Sequence, residues 1–322
     1  MFKWLLVFAL LFGLTGCYYA DQGRGQLRLR LDQVPINEAI RNETDPKVKE
    51  LLSQVSAIKS FGQNSLGLAD TENFQGYYAT KQPGITFVVT AAPKTELTPY
   101  TWWFPIIGSV PYKGFFDPQD AQQLKQELEA QGLDVYIFAA PAYSSLGWFL
   151  DPVTTPMLAS GTWGLADTIL HEMAHNTIYV EGQGDFNEQL ASFVGVRGAE
   201  AFVTQKAGWS ADKLQRFHQR RARYKQAQAL IHQTLPTFEA LYQNQTLSKD
   251  EQLAQRDVLF KELAQGLKEL TGKDWRLNNA RLLQFRRYKE DNPLFENTFK
   301  KAQQDWTKFW VLIEEYSQSQ GW

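Results

Sequence analysis

Two histidines four residues apart, followed at a fixed interval by a lone glutamate, constrain this chain more than any other feature. Residues 170–192 read LHEMAHNTIYVEGQGDFNEQLAS. Within them His171-Glu172-x-x-His175 is followed, after twelve intervening residues, by Glu188. Apolar residues at Leu165, Ile169, Leu170, Met173, Ala174 and Ile178 recur at helical spacing and predict a mostly buried helix near Thr162 to Tyr179. On such a helix residues four apart leave the same face, so both imidazoles point one way. The interval to Glu188 suffices for a turn and the start of a second helix, predicted from about Phe186 to Lys206, with Gly195 and Gly198 marking close helix contact.

Two histidines and a glutamate are poor choices for an apolar core unless something compensates them. The bland explanation is a set of buried, hydrogen-bonded histidines. The chain has only four histidines, however, and two of them fill this motif. A metal ion supplies the partner: His171, His175 and Glu188 make the His₂Glu set typical of catalytic zinc, one ion per chain, with the fourth position left to water. Glu172, one step round the helix from His171, is placed to act as a base toward that water without binding the metal.

The first residues, MFKWLLVFALLFGLTGC, read as a targeting segment. Lys3 is a short basic region, and Trp4 to Leu14 an apolar run too short to span a bilayer stably. Leu14-Thr15-Gly16-Cys17 matches the bacterial lipobox, in which cleavage precedes a lipid-bearing cysteine. Cys17 is also the only cysteine, so no disulfide is expected although an exported chain could form one. The organisation expected is a lipoprotein signal peptide over 1–16, a tether over 17–34 and one catalytic domain over 35–322. The location expected is the bacterial cell envelope, lipid-anchored and facing the periplasm; Tyr18 after the cysteine points to the outer rather than the inner membrane. A formal net charge of −2 shows no basic excess, which argues against nucleic acid as a partner.

The rest of the chain predicts an α+β fold, predominantly helical, with a small N-terminal sheet and a helical C-terminal lobe. Asp45-Pro46 is a cap before a stripe of Val48, Leu51, Leu52, Val55 and Ile58. Residues 85–92 and 133–139 read as strands, and Asp117-Pro118 opens a polar helix stopping at Gly132. Thr101 to Phe116 reads as short strands and turns. Residues 206–225 hold seven cations and one acid, read as a solvated helix face, the alternative being attraction to anionic lipid. Phe299, Ala302, Trp306, Phe309, Ile313 and Tyr316 predict one core-facing helix.

At this point the chain resembles the bacterial putative-aminopeptidase family, zinc-dependent lipoproteins within the gluzincin group that includes thermolysin. The blocks that carry the resemblance are TWWFPIIGSVPYKGFF (101–116), GLDVYIFAAPAYSSLGWFLDP (132–152), ILHEMAHNTIYVEGQGDFNEQLASFVG (169–195) and LNNARLL (277–283). The resemblance implies a zincin-like metallopeptidase domain, with His171, His175 and Glu188 as zinc ligands and Glu172 as general base. Thermolysin-like enzymes carry an aspartate four residues after the ligand glutamate; here that position is Ser192, and Asp167, one turn before His171, is a candidate substitute.

The function expected is a membrane-tethered zinc aminopeptidase acting on peptides. The alternatives are an envelope endopeptidase and a non-catalytic binding lipoprotein on the same fold; the intact Glu172 argues against the last. Gluzincins hold the developing oxyanion with a second donor, for which Tyr288 is the candidate and His232 the runner-up. Residues 142–148 could offer a strand edge to the substrate. Glu181 and Asp185 could meet its α-ammonium, though loop acids are usually solvated.

Overall fold

The computed structural model describes residues 18–105, 108–142, 150–205, 208–287 and 292–321. The signal segment, Cys17, Tyr288 and most of the expected 142–148 edge therefore lie outside the described residues.

The chain is predominantly helical, 65% of it, with small sheets of two or three strands. Every described strand precedes residue 155. Within the stretch expected as a tether, residues 18–31 form a helix, α1. Then come β1 (Val34–Pro35), α2 (Ile36–Asn42), α3 (Pro46–Leu66), β2 (Gly76–Tyr78), β3 (Thr86–Pro93), β4 (Trp102–Phe104), β5 (Gly108–Val110), β6 (Lys113–Phe115), α4 (Pro118–Ala130), β7 (Leu133–Ala140), β8 (Val153–Thr154) and α5 (Thr155–Ala159). The helical remainder is α6 (Gly161–Thr177), α7 (Gly184–Gln205), α8 (Ala211–Gln243), α9 (Lys249–Thr271), α10 (Asn279–Arg287), α11 (Pro293–Lys301) and α12 (Trp306–Ser319).

Local chemistry explains most boundaries. The Asp45 carboxylate accepts from the backbone N–H of Lys47, Pro46 opens α3, and Gly67 closes it in the left-handed region at φ 66°. Asp117 caps α4 in the same way. The two expected strands are β3 and β7, which pair antiparallel from Thr86↔Ala140 to Pro93↔Leu133, with β6 on the other edge of β3. β1, β2 and β8 form a second small sheet, and β4 and β5 a hairpin.

Two expectations change. The single C-terminal helix is two, because Gln303 and Gln304 take positive φ and Asp305 caps a new start by accepting from the backbone N–H of Lys308. The basic face of α8 is not wholly solvated. Arg221 is buried, its Nε 3.2 Å from Glu200 Oε1 and its guanidinium carbon 4.6 Å above the Trp163 ring.

The largest apolar cluster joins α3, α6, α7, α11 and α12. A second lies between α8, α9 and α10, and a third under the β6-β3-β7 sheet. Those two are joined by buried polar groups. Arg256 of α9 pairs with Asp134 of β7, whose carboxylate also accepts from the Asn279 backbone N–H at 2.9 Å. The Asn279 side chain donates to Pro93 O at 2.8 Å and accepts from the Tyr242 hydroxyl at 2.8 Å. Burial, only partly offset by the Asn279 hydrogen bond, pushes the Tyr242 hydroxyl up to about 12.

Candidate metal centre

Helix α6 buries one side completely and carries His171 and His175 on the other. Leu165, Ala166, Ile169, Leu170, Met173 and Ala174 are buried in the main cluster. Leu170, next to His171, is gripped from two sides by glycines. A Cβ on Gly62 of α3 would lie 2.8 Å from Leu170 Cδ2, and one on Gly198 of α7 would lie 2.8 Å from Leu170 Cδ1. The helices approach more closely than side chains at these points would permit. At Gly195 the same holds toward the site: a Cβ there would meet Asp167 Oδ1 at 2.7 Å and His171 Cβ at 3.1 Å.

On the open side His171, His175 and Glu188 converge, and their donor atoms all lie within 4.8 Å of one another. His171 Nε2 is 3.2 Å from His175 Nε2. Glu188 sets Oε2 3.5 Å from His171 Nε2 and Oε1 3.8 Å from His175 Nε2. Ligands about 2.0–2.1 Å from a tetrahedral zinc stand roughly 3.3 Å apart. The three observed separations bracket that edge length, so the set fits the ion. The three side chains are half-buried.

Neighbouring charges and burial set the protonation of these groups. Burial alone would lower the His171 pKa, but the hydrogen bond and charge of Glu188, with Glu172 and Asp167, raise it to about 9. Burial and the neighbouring His171 hold His175 down to about 4. Glu188, despite burial that works the other way, is held below the usual carboxylate range by the two histidines and Arg287. The histidine pair thus holds one proton in the neutral range, which a cation would displace. His175 Nδ1 is buried without a hydrogen-bond partner.

The loop from α6 to α7 is fixed by a residue whose structural duty the sequence reading missed. Asn187 is buried; its amide donates to Val180 O at 2.7 Å and its Oδ1 accepts from the Val180 N–H at 2.9 Å. This closes residues 180–187 into a ring and orients the adjacent Glu188. An asparagine before the ligand glutamate was the available signal. Asp167, the candidate outer acceptor, lies where α7 meets α6 at Gly195 and its charge acts on His171, whereas Ser192 is buried within α7.

Of the two loop acids, Asp185 lies 3.4 Å from Arg287 Nε, and Glu181 is exposed. Arg287, which ends α10, was not singled out from sequence. It faces Asp185, acts on Glu188 and stands 5.7 Å from the Tyr112 ring. It brings the end of α10 to the centre; Tyr288, the next residue, is outside the described part. His232 sits on α8 beside Ile231, whose side chain belongs to the second cluster.

No curated protein matches the chain, and no solved structure does. A family model described as "Putative aminopeptidase" matches residues 17–320, nearly the full length, including α6, α7 and the small sheets. On that match the chain belongs to the putative aminopeptidase family.

Proposed function

We propose that the protein is a zinc-dependent, zincin-like peptidase, tethered to the bacterial envelope through lipid on Cys17, and that it acts as an aminopeptidase. The single observation that carries the chemistry is the convergence of the His171, His175 and Glu188 donor atoms within 4.8 Å. Family membership suggests a peptidase, a hydrolase of peptide bonds.

His171 and His175 would hold the metal through Nε2 and Glu188 through a carboxylate oxygen. When bound, zinc polarises a peptide carbonyl and lowers the pKa of a water toward about 7. Glu172, next to a ligand but not one, takes the proton from the attacking water and delivers it to the leaving amine. Asp167 steadies His171 from the adjoining turn of α6. Tyr288 is our candidate for the donor that meets the developing oxyanion. Glu181 is the acid that remains to meet the substrate's α-ammonium.

One observation favours the second reading, an endopeptidase: Arg287 already pairs with Asp185, which leaves fewer acids for an ammonium. Purified protein offered a peptide with a free and with an acetylated N-terminus decides between them. Stepwise release from the free peptide alone supports the aminopeptidase; internal cleavage of the blocked peptide overturns it. Glu172→Gln should retain metal and lose turnover in either case, and a variant with normal turnover would sink the mechanism.

A further inference from the structure

Helix α1 is helical from the first described residue, Tyr18, which follows the proposed lipidation site, and it has two unlike faces. Its inner face is Tyr18, Gln22, Gly25 and Leu29, at helical spacing. Tyr18 and Gln22 both donate to Gly114 O of β6, at 3.1 and 3.0 Å. The Tyr18 ring meets Phe115 at 5.6 Å and Phe104 at 6.1 Å between centroids, under Lys113 Nζ at 4.2 Å. Gly25 lies against Phe116 so closely that a Cβ would overlap the ring, and Leu29 is buried. A flexible tether makes none of these contacts; α1 is docked on the sheet from its first described residue.

The outer face is apolar where solvent should be. Leu31 is 71% exposed, Leu27 54% and Tyr19 47%, and they lie eight and four residues apart on one side of the helix. Arg24 and Arg28 are exposed beside them; Arg24 is shared with Asp21 at 2.9 Å, so Arg28 carries the preference for anions. Next to the start of α1, the β4–β5 hairpin turns Phe104 inward onto Tyr18 and Trp103 outward, 70% exposed. Exposed leucines with arginine on a helix face, and an exposed tryptophan beside it, suit a lipid headgroup boundary better than water.

We propose that the outer face of α1, with Trp103, lies on an anionic lipid surface and holds the domain flat against the membrane. The occupant is chosen by chain order: in the lipid-anchor reading, on which this inference rests, acyl chains leave Cys17 two residues before Tyr19, the first residue of this face. Strand β6 would carry the consequence to the metal centre. Gly114 fixes α1, and Tyr112, just before the strand, faces Arg287. The centre would therefore be held at a set distance from the bilayer rather than swinging on a leash.

The test uses the unlipidated chain from residue 18, which contains every described residue, mixed with phosphatidylglycerol and phosphatidylethanolamine vesicles and floated. It should float with the vesicles, less so at high salt, and Leu27→Glu/Leu31→Glu should lower the bound fraction about tenfold. The double variant should melt like the parent, because both side chains are exposed. No flotation, or a double variant that floats equally well, overturns the proposal. So does a parent that is dimeric and a double variant that is monomeric, since the face then belongs to a second copy. Acyl labelling of Cys17 in the full chain is read separately: flotation without label overturns the anchor and leaves the α1 contact standing.

Discussion

The two halves of the molecule are held together by opposite means. Around the candidate metal centre, α3, α6 and α7 meet largely through apolar side chains and glycines, and the His171, His175 and Glu188 donors gather at one side of that packing. At the junction of the β6-β3-β7 sheet with α8, α9 and α10, the contact is a buried polar knot of Arg256, Asp134, Asn279 and Tyr242. Apolar packing fixes the first region while leaving the His171, His175 and Glu188 donors available to a ligand. In the second the polar groups are consumed by one another, and Asn279, conspicuous in the LNNARLL block, is a structural bracket rather than a reactive group. A cluster of polar residues in a buried setting is thus a candidate site only where the surrounding atoms do not already satisfy it.

The largest effect expected from breaking this contrast is at the knot. Asp134→Ala strands a buried guanidinium and the Asn279 N–H, and should cost about 3–5 kcal/mol of stability. Its metal affinity, measured at a temperature where it is folded, should stay within about twofold of the parent. A large loss of metal affinity would show that the regions are not separable. Gly195→Ala should do the reverse. Its Cβ would press on Asp167 and His171, costing about 1–3 kcal/mol and lowering zinc affinity tenfold or more. Unchanged affinity would mean that the approach of α7 does not set the ligand geometry.

A pH series sharpens the contrast further. In the metal-free protein His171, raised to about 9 from the ordinary histidine value of 6.5, keeps a proton that the unfolded chain has lost, so stability falls as pH rises from 6.5 through 9. His175, lowered to about 4, stays neutral where the unfolded chain binds a proton, so stability also falls as pH drops from 6.5 through 4. These two groups predict a melting maximum near 6.5 in chelator, and zinc should remove the alkaline arm by displacing the His171 proton. A flat profile, or one indifferent to zinc, would contradict the charge assignment. The smallest effect is at an exposed pair on α8: Arg216→Ala breaks the contact with Asp212 and should change stability by no more than about 0.5 kcal/mol, by chemical denaturation.

Helices α6 and α7 and the meeting of His171, His175 and Glu188 were legible because their signals are local. Spacing of four places His171 beside His175, and the apolar stripe of α6 says which side is buried. Gly195 and Gly198 announced a close approach that the structure contains. Strands β3 and β7 were legible from their apolar runs, but not their pairing, which depends on residues about fifty positions apart. Helix α1 falls where a tether was expected, because the contacts that order it come from β6, far along the chain. The break between α11 and α12 was hidden by a continuous apolar stripe, although Asp305 was a usable cap signal. Arg221 was grouped with solvated cations because nothing local announces Glu200 and Trp163 as its partners.

The central claim is that His171, His175 and Glu188 form one metal site with Glu172 beside it. Metal content of the purified chain, after dialysis against trace zinc, tests it most directly. One zinc per chain is expected in the parent and in Glu172→Gln, and none above background in His175→Ala or Glu188→Ala. Equal metal in all four proteins, or loss of zinc in Glu172→Gln alone, would contradict it.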